Sequence, residues 1–267
     1  MSLKVEVIQL NVVQGEFQEN LIAIETYVKQ KKSDTKLLVF PQYAITGYPT
    51  LKILNLLNSE HDNLIKQICE IARKYKVGLL FSIPKNVEKN SFQDCICYVN
   101  ENGTIETTYI RINKFWREDN CITGKEIKII NIDNIKIGIM AGDDIYYPEI
   151  SRQLAQNEVS CIICLFYNAK RKLSGNNFDL ADILKSLVMA SAVINEVDFL
   201  LCSANGTIDQ DDNQSIIAGS VLVGNSMIIS LSEPKEINIG NNENSFTSII
   251  DENKINFYRM INRRNQQ

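Results

Sequence analysis

Ile139-Met140-Ala141-Gly142-Asp143-Asp144-Ile145-Tyr146-Tyr147-Pro148-Glu149 is the stretch on which the fold turns. It leaves an apolar strand at 135–141, passes one glycine and two aspartates, and reaches a proline. Proline is favoured in the first helical turn, where its missing N–H has no partner to lose. A helix is therefore expected from Pro148 past Leu154. Strand, tight turn and helix in this order are one unit of an α/β protein.

The same alternation extends in both directions. Residues 4–13 alternate apolar and polar, as a half-buried strand does, and 17–31 put Leu21, Ile24 and Val28 on one helical face. A short apolar strand at 36–40 ends at Pro41. Leu64, Ile68, Ile71 and Ala72 line an amphipathic helix over 61–75, and 77–82 reads as a strand. Asn102-Gly103 between 93–99 and 104–113 signals a hairpin, and 128–132 precedes 135–141 as a second strand pair. Beyond Pro148 come a buried strand at 160–166, a long helix at 178–195, a strand at 197–203, two or three strands within 216–250, and a helix at 252–261. The expectation is a single α/β domain over 1–267 with helices covering a mixed sheet.

Composition narrows the function classes. Hydrophobic residues at 45% supply a sizeable core, and 28 Lys+Arg against 32 Asp+Glu leave −4, which argues against a nucleic-acid surface. The basic end Arg259…Arg263-Arg264 reads as a solvated helix terminus. No apolar run reaches the roughly 18–20 residues of a membrane helix. No leader is expected, because Met1-Ser2-Leu3-Lys4 runs straight into the strand pattern. The seven cysteines are odd in number and sit mostly in apolar stretches, as in a reducing cytoplasm. Cys161-Ile162-Ile163-Cys164 has redox or zinc spacing but lies inside a strand-like run. With His61 the only histidine, His-based triads and multi-His metal sites are nearly excluded. No metal and no cofactor are expected.

Several segments, in order, resemble the nitrilase (carbon–nitrogen hydrolase) superfamily. Gln9-Leu10-Asn11…Gly15…Asn20 resembles its opening strand and helix, and Leu38-Val39-Phe40-Pro41-Gln42…Thr46-Gly47-Tyr48-Pro49 its Phe-Pro-Glu segment. Tyr109-Ile110-Arg111-Ile112-Asn113 resembles the lysine segment, and the 139–149 stretch the nucleophile segment. Cys202-Ser203-Ala204-Asn205-Gly206, Ile217-Ala218-Gly219-Ser220 and Ile249-Ile250-Asp251 resemble the segments that follow. The wording Thr46-Gly47-Tyr48-Pro49 is most similar to the glutaminase domain of glutamine-dependent NAD synthetases. The resemblance implies a nitrilase-like four-layer α-β-β-α sandwich that pairs with a second protomer, as a homodimer or a larger homo-oligomer.

Family members hydrolyse nitriles or amides with a Glu-Lys-Cys triad. Carried over by position, the base falls on Gln42, the lysine on Arg111 and the nucleophile on Gly142. A carboxamide accepts no proton near neutral pH, arginine keeps a charge but does not shuttle protons, and glycine has no side chain. Glu118 is the nearest candidate for the family's second glutamate. Lys114 could stand in for the lysine, and the thiol of Cys121 and Asp143, which follows position 142, are further rescue candidates; the alternatives are a surface lysine, a packing cysteine and a solvated or capping aspartate. Asp144 is expected to orient backbone, and Tyr48, Tyr146 and Tyr147 either line the pocket or pack in the core or an interface. Glu, Lys and a neutral thiol sum to zero, whereas Gln42, Arg111 and Gly142 sum to +1, so a roomier and more cationic pocket is expected, suited to a small carboxylate or amide. Two readings compete: a family member with a degenerate triad that binds a small metabolite or serves in an assembly, and an active amidase or glutaminase-type hydrolase with displaced residues.

Overall fold

Two six-stranded sheets lie face to face between helices in the computed structural model, giving the four layers α-β-β-α. The residues described are 1–88, 90–114, 118–167, 169–170, 180–207, 221–231, 235–238 and 244–264. The expected segment 217–220 and the first two residues of the expected helix 178–195 lie outside them.

Along the chain come β1 (Ser2–Gln9), β2 (Asn11–Val13), α1 (Phe17–Lys29), β3 (Leu37–Val39), α2 (Leu51–Tyr75), β4 (Gly78–Glu88), β5 (Ser91–Val99), β6 (Ile105–Ile110), β7 (Lys128–Ile132) and β8 (Ile135–Ala141). Then follow α3 (Pro148–Gln156), β9 (Cys161–Phe166), β10 (Ala169–Lys170), α4 (Leu180–Asn195), β11 (Asp198–Ser203), β12 (Asn205–Thr207), β13 (Val221–Val223), β14 (Met227–Ser230), β15 (Lys235–Asn238), β16 (Asn244–Asp251) and α5 (Glu252–Arg264). One sheet has the order β16-β1-β3-β4-β5-β6 and the other β15-β14-β11-β9-β8-β7. Parallel strands β1, β3, β4 and β8, β9, β11 form the two centres, flanked by antiparallel partners.

The layers explain the continuous apolar runs. In β9, Cys161, Ile163 and Leu165 enter the seam between the sheets with Val5, Val7, Leu37 and Val39. Ile162, Cys164 and Phe166 face the other way and pack with Leu154 of α3 and Leu184 and Val188 of α4. Side chains alternate along a strand, so one buried on both faces is apolar at every position. Cys161 and Cys164 therefore sit on opposite faces as free core thiols, which removes the redox or zinc reading of their spacing. On the far side, Leu21, Ile24 and Val28 of α1 and Leu57, Leu64 and Ile68 of α2 cover the first sheet.

Three local expectations change. The single strand over 4–13 is two strands: β1 stays in the first sheet, while β2 pairs with β12 in a separate four-stranded sheet. The chain switches sheets at Leu10, whose carbonyl accepts Asn205 N at 2.8 Å. Helix α2 begins ten residues earlier than periodicity over 61–75 implies, because Thr50 caps it, accepting from Ile53 N, and Leu54 and Leu57 extend the buried stripe. Gly142–Tyr146 forms a turn of 3-10 helix between β8 and α3.

Candidate active site

Three chain segments leaving strand ends meet at one point. Gln42 follows β3, Arg111 follows β6, and Gly142 follows β8 from the opposite sheet. A β-carbon on Gly142 would lie 2.9 Å from Gln42 Nε2 and 3.1 Å from Arg111 Cδ. The backbone there has φ +52°, a left-handed conformation that costs a side chain strain and glycine nothing. Asp144, fully buried, holds the turn: it accepts from Ala141 N at 3.2 Å, Asn113 N at 2.8 Å and the Tyr109 hydroxyl. This is the backbone-orienting part expected of it. Burial raises the Asp144 pKa, with the Tyr109, Asn113 and Ala141 hydrogen bonds opposing.

Arg111 is the hub. It is 2% exposed, and its guanidinium meets three carboxylates. Nη2 donates to Glu118 Oε2 at 2.7 Å and Nη1 to Asp143 Oδ2 at 3.1 Å. Nε lies 3.2 Å from Asp94 Oδ2 but makes no aligned hydrogen bond, so this contact is charge pairing alone. Burial opposes the guanidinium's charge, yet the adjacent carboxylates of Glu118 and Asp94 keep it protonated.

Asp94, on β5, is the residue the sequence reading missed. It is 0% exposed, accepts from Gln42 Nε2, the Tyr43 hydroxyl at 3.2 Å and Ser82 Oγ at 3.3 Å, and stands beside Arg111. Burial raises its pKa; Arg111 and the Gln42 amide oppose this. A carboxylate only accepts, which orients the Gln42 amide with its nitrogen toward Asp94. The available signal was an acid inside the apolar run Phe92…Cys95-Ile96-Cys97, where a charge needs a dedicated partner.

The other candidates separate into those inside the cluster and those outside. Tyr48 donates to Glu118 Oε1 at 2.8 Å and packs edge-on against Tyr43, with Tyr167 completing a trio of rings 5.5–5.9 Å apart. Burial pushes the Tyr43 and Tyr48 phenols well above their usual range. Cys121 Sγ lies 3.4 Å from Arg111 Nη2 and packs on Leu54 and Phe92. Its thiol is pushed up to about 11 by burial, with Arg111 opposing. Lys114 points elsewhere, donating to the backbone carbonyls of Cys121 at 3.1 Å and Asp119 at 3.4 Å. It braces the loop that carries Glu118 and Cys121. Tyr146 and Tyr147 are exposed on the turn.

The expected roomier, cationic pocket is thus corrected. The position opened by Gly142 is taken by the Gln42 amide and the Arg111 stem, and among the described residues the Arg111 charge is matched by three carboxylates. Among the described residues, no group of three His, Cys, Asp or Glu side chains is placed to hold a metal ion. No described helix is long and apolar enough to cross a membrane.

Comparison with known proteins bears on this geometry. The family model described as carbon-nitrogen hydrolase matches residues 4–232. A probable nitrilase of Schizosaccharomyces pombe is 26% identical over 231 residues, 82% of this chain and 80% of that protein. A glutamine-dependent NAD(+) synthetase of Thermotoga maritima is 27% identical over 165 residues, 58% of this chain but 28% of the synthetase. Among solved structures, a carbon-nitrogen hydrolase from Helicobacter pylori G27 superposes with a TM-score of 0.87 over 98% of this chain and 93% of its own. At 16% identity that likeness speaks for the fold.

Proposed function

Since the chain belongs to the carbon–nitrogen hydrolase family, we propose that it is a non-hydrolysing member, in which the catalytic centre has become a buried structural brace and the work is assembly or binding. One observation supports this reading: Gly142, Gln42 and Arg111, to which the family resemblance assigns the nucleophile, the base and the oxyanion-stabilising lysine, meet at one point. Glycine supplies no nucleophile, and the amide of Gln42 takes no proton. Loss of a nucleophile alone costs about 10⁶ in turnover in a well-studied hydrolase. Arg111 cannot be spared for an oxyanion while Asp94, Glu118 and Asp143 share its guanidinium. The same carboxylates would repel an anionic ligand, which weakens the case for a bound carboxylate.

Of the remaining roles, assembly has the firmer support. Leu184, Val188 and Ala192 of α4 are buried, yet the opposite face exposes Ile183, Met189, Val193 and Ile194, the last 68% exposed. A helix apolar on both faces belongs inside a structure, and a second copy of this chain is the cover we propose.

A second reading is favoured by one contact, Cys121 Sγ beside Arg111 Nη2. An amidase using Cys121 would need a thiolate. With the thiol at about 11, roughly one in ten thousand is ionised at pH 7. Ammonia release from a panel of amides and nitriles, glutamine included, tests both. The expected result is none above a heat-denatured control. Release that disappears with Cys121→Ala would replace the first reading by the second.

A further inference from the structure

We infer that Asp94 is a positioning residue whose pairing with Gln42 makes restoration of the three triad positions insufficient to restore a working thiolate. This rests on the non-hydrolysing reading above. Within the pair formed by positions 42 and 94 the charge stands on Asp94, and the neutral amide of Gln42 is its complement: Gln42 Nε2 donates to Asp94 Oδ2 in a place where Gln42 is 2% and Asp94 0% exposed. Changing Gln42 to glutamate sets acceptor against acceptor there. Two carboxylates in one buried site do not both ionise at neutral pH; one retains a proton. A carboxyl that already holds a proton is not a general base.

The arginine compounds the effect. Its fork reaches Asp94, Glu118 and Asp143 together, whereas a lysine is a single point charge. Restoring all three positions would therefore face one ammonium with four carboxylates. Adding Asp94→Asn returns the count to three and gives the new glutamate an amide donor in place of a competing acid. The side chain entering at Gly142 also displaces the Gln42 terminus, since its β-carbon would lie 2.9 Å from Nε2. Position 42 must then move along Asp94, which an acid pair opposes and an acid–amide pair permits.

The test compares the triple variant Gln42→Glu/Arg111→Lys/Gly142→Cys with the quadruple variant that adds Asp94→Asn. Alkylation by iodoacetamide at position 142 is followed by peptide mass spectrometry from pH 5 to 10, beside ammonia release from the amide panel. The quadruple variant is expected to react at least ten-fold faster at pH 7, with its profile shifted at least one pH unit lower. Equal rates and profiles would overturn the inference.

Should either multiple variant fail to fold, Gln42→Glu alone and with Asp94→Asn are unfolded in urea at pH 5 and pH 8. A carboxyl whose folded pKa is raised contributes stability at low pH that is lost as pH rises. Gln42→Glu should lose at least ten-fold in its folding constant over that interval relative to the unaltered protein, and Asp94→Asn should remove the loss. A single variant with the unaltered pH dependence would also overturn the inference. Ammonia from the unaltered protein would instead sink the non-hydrolysing reading, which the two comparisons do not address.

Discussion

Removing Arg111 should do more damage to folding than any other substitution at this centre. Arg111→Leu keeps much of the buried volume and deletes the guanidinium that Asp94, Glu118 and Asp143 share. Each of these acids is buried or half-buried, Asp94 completely. Leaving a buried charge without its partner costs about 3–5 kcal/mol. For a chain of this size each kcal/mol moves the melting temperature by about 2–4 °C, so a fall of roughly 6–20 °C is expected at pH 7. The sign of the pH dependence follows from Asp94. Burial already raises its pKa and Arg111 opposes that rise. Without Arg111 the folded pKa climbs further above the unfolded value, and the folded state binds the extra proton. The deficit should therefore shrink toward pH 5 and grow toward pH 8. Urea unfolding and calorimetry at pH 5, 7 and 8 provide the measurement. A loss below about 1 kcal/mol at pH 7, or one indifferent to pH, would refute the view that Arg111 holds the centre together.

Asp144→Asn should cost about 2–3 kcal/mol, because its amide nitrogen would confront either the Asn113 backbone donor at one oxygen position or the Ala141 and Tyr109 donors at the other; the urea midpoint should fall with its slope unchanged. Cys121, with its thiol near 11 and 3% exposed, should resist iodoacetamide at pH 7.5 in the native protein while half-buried Cys69 is modified first. Peptide mass spectrometry reads the order, and rapid modification of Cys121 would mean that its thiolate is populated. Met189→Lys or Val193→Lys, on the exposed apolar face of α4, should shift sedimentation toward the single-chain mass; an unchanged mass would withdraw α4 as the assembly surface.

Some of this was legible residue by residue. Strand β9 and helix α4 are apolar in continuous or periodic patterns that need no knowledge of their neighbours. Pro148 marks the start of α3 by its own covalent chemistry. The early start of α2 was obscured by the polar residues Asn55, Asn58 and Ser59, although Leu54 and Leu57 continue the buried stripe. The split of β1 from β2 was not readable, since an alternating run looks the same whether it stays in one sheet or passes to another.

The centre divides in the same way. That position 142 lacks a nucleophile, position 42 lacks a base and position 111 bears a fixed charge follows from residue identity alone, because those are properties of single side chains. What the charge meets was decided only by folding. Asp94 lies 17 residues before Arg111 on a neighbouring strand, and Asp143 lies 32 residues after it in the opposite sheet's turn. Electrostatic energy depends on separation in space and on the exclusion of water. A lone arginine in the sequence therefore read as a cationic pocket, and the packed sheets made it the cation of an acidic, filled one.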